Sequence, residues 1–558
     1  MKRTLFAALL LAGIACRIGL LTHYTWVDGG DVDVYLADEG VVGLMAKHIL
    51  EGTSFPIFFY GQHYLGALEA YLAALSFAVF GMNLLTLRLV PFAVSLGLIG
   101  AVYVFTAKAY SRAAARWSTA LVAISPMYFL QWNLKARGGF IEHVLLLFLI
   151  LSLLWRYLFD GDRRPVVAFV LGLTIGIAFW VNQLVLAYML VLVPILWFDR
   201  TRPHRWVRLA GGFILGASLL IGYNVVHPMA TFRTLARKSV TMNRVPTAQR
   251  DEHWLLRGIE KRVEALSQGA DKIGMVFGVP PRANVAHLGL SEDVRKGSRV
   301  TNIRQGLAFL PLLVFGAALL GFRPRRMHDE VGRRRWNWRG PDQVLFLFFA
   351  ATIAVGYVSP RYMLPAYPLA AVMAGAWIGR RSGKSRAWMI VGLAAVTAYN
   401  LLSWADLGSA IGSNNRERVK ALVEALDAHG LARCYSAGPM YHAVFESGER
   451  IILSPLQKDR YPAYGRLVNE ADRICYVFRP DQKTKAQHRA FLQLLARKNI
   501  TYRRLDTGAY IVWYKFHPRR EIRKNDMDEV RRQSRRETTT HISITTSYWA
   551  YPSARSRS

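Results

Sequence analysis

Eleven predominantly apolar runs constrain this chain more than any other feature. They cover residues 5–21, 89–106, 117–132, 141–155, 166–180, 184–198, 209–226, 307–322, 344–358, 363–378 and 388–404. A segment crossing about 30 Å of hydrocarbon must satisfy its own backbone hydrogen bonds, and an apolar helix of roughly 17 to 25 residues does so. Several of the runs are shorter and need flanking residues or a locally thinner bilayer. With 53% apolar residues in 558, a single soluble globule is excluded. The expectation is an α-helical multi-pass membrane protein with about eleven transmembrane helices.

The formal net charge is +34, a balance that raises nucleic acid as a partner until the basic residues are located. They sit in alternate short connectors: Lys108, Arg112 and Arg116; Arg156, Arg163 and Arg164; Arg200, Arg202, Arg205 and Arg208; Arg323, Arg325, Arg326, Arg333, Arg334, Arg335 and Arg339; and Arg380, Arg381, Lys384 and Arg386. Together with Lys2 and Arg3 this is the positive-inside pattern, which places the amino terminus in the cytoplasm and excludes a nucleic-acid groove. Residues 64–80 would add a crossing that throws every later basic loop outside, and they carry Glu69, costly in lipid. They are expected as a helix lying on the outer interface. Residues 1–16 mimic a signal peptide ending at Cys16, but Gly13 stands where a lipoprotein signal needs a bulky aliphatic residue, so a retained first span is expected.

An odd number of spans leaves the chain beyond residue 404 outside, with two further external pieces at 23–88 and 227–304. Long loops in compact proteins carry function, and here all of them share one face. Residues 1–404 form the expected membrane domain. From 405 to 517 the pattern changes to short strands alternating with the amphipathic helices 416–429 and 485–498, an extracytoplasmic α/β domain. It contains no nucleophile elbow, P-loop or metal-ligand spacing, which favours a role in handling the acceptor. Cys434 and Cys475 allow one disulfide. The basic tail, 518–558, is expected to be disordered.

Three signals on the external face carry chemistry. Asp38 and Glu39 precede an amphipathic run through Leu50; helix capping alone would explain carboxylates there. Glu142 follows Arg137-Gly138-Gly139 at the outer end of two spans, where Arg137 also suits an interfacial anchor. Arg361-Tyr362 lies at the external end of a span against the charge rule, and binding a phosphate gives Arg361 a reason to be there; snorkelling beside an interfacial Tyr is the plain alternative. Arg233, Arg237, Lys238 and Arg244 suit a phosphate clamp or contact with anionic lipid equally.

As an ensemble, the acidic pair, the interfacial helix, the second carboxylate and the late Arg-Tyr followed by Leu364-Pro365 resemble the C-type glycosyltransferases. Within that group the chain is similar to bacterial relatives of the protein mannosyltransferases and the lipid A aminoarabinose transferases. Residues 59–71 with Lys135-Ala136-Arg137-Gly138-Gly139 look like a prokaryotic branch of it, and the resemblance covers about residues 1–380. It implies inverting transfer of a sugar from a polyprenyl-phosphate donor to an extracytoplasmic glycan, lipid or protein, at the outer face of the bacterial cytoplasmic membrane. Carried over by position, Asp38 matches the general base, Glu39 its neighbour, Glu142 the second acidic site and Arg361, with Tyr362 and Arg137, the donor-phosphate contact. Relatives often have an acidic residue or Pro near Gln62 and His63, and this chain has neither. A divalent metal ion therefore stays open, with Asp38 and Glu142 the candidate ligands, and Glu69 is a second candidate for the acidic site.

The competing reading is a transporter or flippase of lipid-linked saccharides. Transporters place polar sites at the bilayer midplane on interrupted helices in repeated halves, whereas these carboxylates lie in external loops and no internal repeat is visible. A sensor with an external ligand-binding domain leaves Asp38, Glu142 and Arg361 on one face unexplained.

Overall fold

The computed structural model describes residues 1–23, 37–159, 164–197, 203–234, 272–278, 310–322, 327–328, 334–335, 341–356, 359–409, 415–456, 459–479 and 482–518. Two compact units divide the chain, one of Met1–Val34 with Met45–Ser413 and one of Tyr35–Leu44 with Asn414–Ser558. Helix Gly383–Ser409 runs past the expected boundary at 404, so the division comes later, at 413. Arg237, Lys238, Arg244 and the tail beyond 518 lie outside the described residues.

In the first unit the helices are α1 (Arg3–His23), α2 (Ala37–Leu50, whose first half belongs to the second unit), α3 (Leu68–Phe80), α4 (Leu84–Ala109), α5 (Arg112–Ala123), α6 (Met127–Trp132), α7 (Phe140–Leu158), α8 (Pro165–Val181), α9 (Val185–Trp197), α10 (Pro203–Gly216), α11 (Ser218–Val226), α12 (Leu310–Gly321), α13 (Pro341–Gly356), α14 (Ala366–Arg380) and α15 (Gly383–Ser409). Each of the eleven apolar runs carries helix. Among the described residues five helices are long and apolar enough to cross a membrane, six if α10 and α11, bent by 65° at their junction, count as one broken span. The segment 64–80 is not one helix. Its start belongs to strand β2 (Gln62–Gly66), paired antiparallel with β1 (Phe58–Phe59), and the remaining 13-residue α3 is about 20 Å long, short of a bilayer.

The run 117–132 is also not a single span. It breaks at Ile124-Ser125-Pro126, because a residue before proline avoids the α region and proline offers no N–H. The break leaves the last carbonyls of α5 buried without intrahelical donors, and side chains from three other helices supply them. Arg17 of α1, fully buried, donates to the carbonyls of Val122 (3.1 Å) and Ala123; Tyr367 of α14 donates to Leu121 (2.9 Å); Asn400 and Trp404 of α15 donate to Ile124 (2.9 Å) and Ser125 (3.1 Å). Helices α8 and α10 meet through Gly172 and Gly176 against Gly212 and Gly216. A Cβ at any of the four would strike the facing backbone, at Leu209, Phe213, Phe169 and Leu173 respectively, so only glycine permits this approach.

The second unit is a five-stranded sheet in the order β6-β5-β7-β9-β8, made of β5 (Arg433–Ser436), β6 (Ile452–Pro455), β7 (Cys475–Phe478), β8 (Thr501–Asp506) and β9 (Ile511–His517). β5 is parallel to β6 and β7, while β9 runs antiparallel to β7 and β8. Its helices are α16 (Asn415–Ala428), α17 (Tyr441–Glu446), α18 (Pro462–Asn469) and α19 (Gln482–Arg497). Both long helices fall where the sequence pattern put them; α17 and α18, of 6 and 8 residues, are too short to show a period. Cys434 and Cys475, opposite each other on β5 and β7, form a disulfide. The first half of α2 completes this unit. Gly40 lies against the backbone of Tyr441 and His442, and Gly43 against the ring of Phe445, leaving no room for a side chain at either.

Candidate active site

The site in the first unit grows from the turn before α7. Gly138 and Gly139 both take positive φ, +85° and +81°, a conformation that costs glycine nothing. Their amides converge on one carboxylate oxygen: Glu69 Oε2 accepts from Gly138 N (2.5 Å) and Gly139 N (3.2 Å). Glu69 opens α3 and is 1% exposed. The sequence offered Glu69 as a second acidic site; the structure uses it as a backbone acceptor.

Around this turn the aromatic rings form a ladder with a guanidinium at each end. Arg137 lies over Trp132, 4.2 Å from its centroid. Trp132 packs edge-on to Phe140 at 5.0 Å, and Phe140 stacks on Tyr362 at 6.3 Å with 11° between the planes. Arg361, on a single 3₁₀ turn (Pro360–Met363) before α14, lies 5.7 Å from the Phe140 centroid and 5.2 Å from that of Tyr362. Rings hold both cations by cation–π attraction in fixed positions, half-buried. Among the described residues Arg361 forms no salt bridge. In α7's first turn Glu142 is 3% exposed, and no other described residue hydrogen-bonds its carboxylate. Burying a carboxylate without a partner is costly enough that such a group is usually there to meet something. Arg137, Glu142, Glu69, Arg361 and Tyr362 are thus gathered by one turn and its neighbours. Trp132 and Phe140, which carry the ladder, were not singled out in the sequence, although both flank the Lys135–Gly139 motif.

Asp38 and Glu39 belong to the second unit. They occupy the first turn of α2, inside the helix rather than ahead of it, where carboxylates favour the helix dipole. Arg460, in the loop after β6, donates to Asp38 Oδ1 at 2.5 Å. That loop is fixed by Asp459, which accepts from Tyr441 Oη (2.5 Å), Ser454 Oγ (2.9 Å) and Tyr461 N (3.0 Å), while Tyr441 Oη accepts from Arg460 N (2.6 Å). Burial, reinforced by its hydrogen bond to Asp459, pushes the Tyr441 phenol well above its ordinary range, so it remains a donor at any physiological pH. Nothing in the sequence pattern pointed to Arg460. Glu39 is fully buried. As for a metal, the described residues contain no group of three His, Cys, Asp or Glu side chains spaced to hold one. Two candidate carboxylates make an incomplete donor set.

The fold resembles that of solved membrane glycosyltransferase structures. ArnT from Cupriavidus metallidurans in the apo state superposes with a TM-score of 0.54 at 13% identity, covering 92% of this chain and 97% of that one. The same protein bound to undecaprenyl phosphate gives 0.51 at 13% identity with the same coverage. The apo oligosaccharyltransferase of Archaeoglobus fulgidus gives 0.49 at 14% identity over 93% of this chain and 75% of its own. At these identities the likeness is one of fold. It bears out a multi-pass membrane protein with a small carboxyl-terminal sheet domain. No protein-family model matches the chain, and no curated protein does.

Proposed function

We propose that this chain is an integral-membrane glycosyltransferase that moves a sugar from a polyprenyl-phosphate donor to an extracytoplasmic glycan, lipid or protein, with inversion. The observation that carries the reading is the pair of guanidinium groups, Arg137 and Arg361, held on one aromatic ladder whose Phe140 shares the first turn of α7 with the buried Glu142. Planar guanidinium groups match phosphate oxygens in bidentate fashion, and a ladder that fixes them in advance lowers the cost of ordering them on binding. One neighbour of the same fold was solved with undecaprenyl phosphate, which agrees with a lipid-phosphate ligand.

The chemistry follows from the donor. A glycosyl phosphate carries its own leaving group. The anomeric carbon to phosphate-oxygen bond breaks, the phosphate departs as its anion on the lipid, and the acceptor oxygen bonds to the opposite face of the carbon. Arg361 and Arg137 stabilise the charge that grows on the departing phosphate, with Tyr362 beside them. The acceptor hydroxyl must lose its proton, and Asp38 is the proposed base, with Glu39 its neighbour in the same turn and Glu142 a second carboxylate for the sugar or acceptor hydroxyls. The outer-face placement is supported by the basic connectors and by the Cys434–Cys475 disulfide, since disulfides persist in oxidising compartments.

The purified protein in liposomes, given a radiolabelled polyprenyl-phosphate sugar and an envelope extract as acceptor, is expected to move label into acceptor and release polyprenyl phosphate. Translocation of intact donor without its cleavage would establish the transporter instead.

A further inference from the structure

The turn that carries Arg137 and Glu142 has no regular hydrogen-bond ladder of its own. A backbone that twice enters the left-handed region presents successive N–H groups to one side, a concavity suited to an anion. Here the anion is the protein's own. A single oxygen of Glu69 accepts both amides across 69 and 70 residues of sequence, from a side chain buried to 1% exposure. The walls close the alternatives. The Phe59 ring and Leu65 stand against Gly138, Val181 stands against Gly139, and Leu65 bridges to Asn182 at the end of α8. A β-carbon at Gly138 or Gly139 would meet Phe59 or Val181 at 3.0 Å.

We propose that Glu69 is a positioning residue: it locks the Gly138–Gly139 turn and thereby sets Arg137, one residue before it, and Glu142, three residues after. This assignment gives Glu69 no contact with substrate and no metal to hold. Its value for activity rests on the functional reading above, but the lock itself does not. The hydrogen bonds run from two amides to one oxygen, so what the turn requires is an acceptor at that point. A carboxamide oxygen at the same reach meets the requirement without charge; a carboxylate one methylene shorter keeps the charge and fails to reach.

Two substitutions therefore separate position from charge. In Glu69→Gln the turn stays closed, and since neutral hydrogen bonds are about half as strong as charge-assisted ones, transfer falls by no more than about tenfold. In Glu69→Asp the turn loosens, and transfer falls by about 100-fold, the scale of an ångström-sized misplacement. Hydrogen exchange on the 135–141 segment, measured on purified protein in nanodiscs, reads the lock directly: slow in wild type and Glu69→Gln, at least tenfold faster in Glu69→Asp. The reverse order, with Glu69→Asp protected and more active than Glu69→Gln, would overturn the proposal and return Glu69 to a charge-dependent role. If the exchange order holds while Glu142→Ala and Arg361→Ala transfer sugar like wild type, the lock stands and the functional reading of the turn falls.

Discussion

Two readings compete at Asp38, and one substitution separates them. As a base, it takes the acceptor proton; as a helix residue, it serves the α2 dipole and the ion pair to Arg460. Asp38→Asn keeps size and hydrogen bonding and removes basicity, so transfer is expected to fall about 10² to 10⁴ fold while the protein folds and binds donor normally. Near-wild-type transfer at matched expression would return Asp38 to structure, because the dipole and Arg460 contacts that Asn weakens bear on folding and not on proton transfer. Residue types were legible where a rule was broken: Arg361 stands on the wrong side of the charge rule, and Asp38-Glu39 make an acidic pair on a basic chain. Glu69 was legible as an anomaly but not as a backbone acceptor, because its partners lie about seventy residues away and are amides, which every sequence has. Arg460 was silent for the same reason: its partner is 422 residues distant.

Among the elements, the buried end of α5 makes the sharpest demand. Five consecutive carbonyls, Leu121 to Ser125, accept from side chains, and Arg17 alone serves two of them. Arg17→Met preserves length and removes every donor, leaving buried acceptors unpaired at about 1–3 kcal/mol each. Thermal unfolding in detergent is expected at a clearly lower midpoint, and an unchanged midpoint would show that the cap is dispensable. Helices were read well from apolar length, and their breaks less well, since hydropathy averages over Pro126 and over the bend between α10 and α11. The glycine pairs of α8 and α10 take their meaning only from the facing helix. Strand β2 escaped because Gln62–Gly66 runs without a break into apolar α3.

For the whole molecule, the alternating basic connectors carry the proposed topology, in which 64–80 does not cross. A single cysteine placed at Asn83, in the turn after α3, is expected to react with an impermeant maleimide added to intact cells; labelling only after the inner face is opened would reverse the sidedness of every loop. The sequence also separated membrane domain from α/β domain by a change of periodicity, but not the recruitment of α2's first half into the second unit, which rests on Gly40 and Gly43 packing against α17. The central claim is that the aromatic ladder with its two arginines receives the donor phosphate, and binding of polyprenyl phosphate by wild type, Arg361→Lys and Arg361→Ala tests it most directly. Lysine keeps the charge and loses the planar fork, so affinity should fall in the order wild type, Lys, Ala, with the Ala variant weaker by about 10-fold or more. Equal affinity in all three would contradict the account.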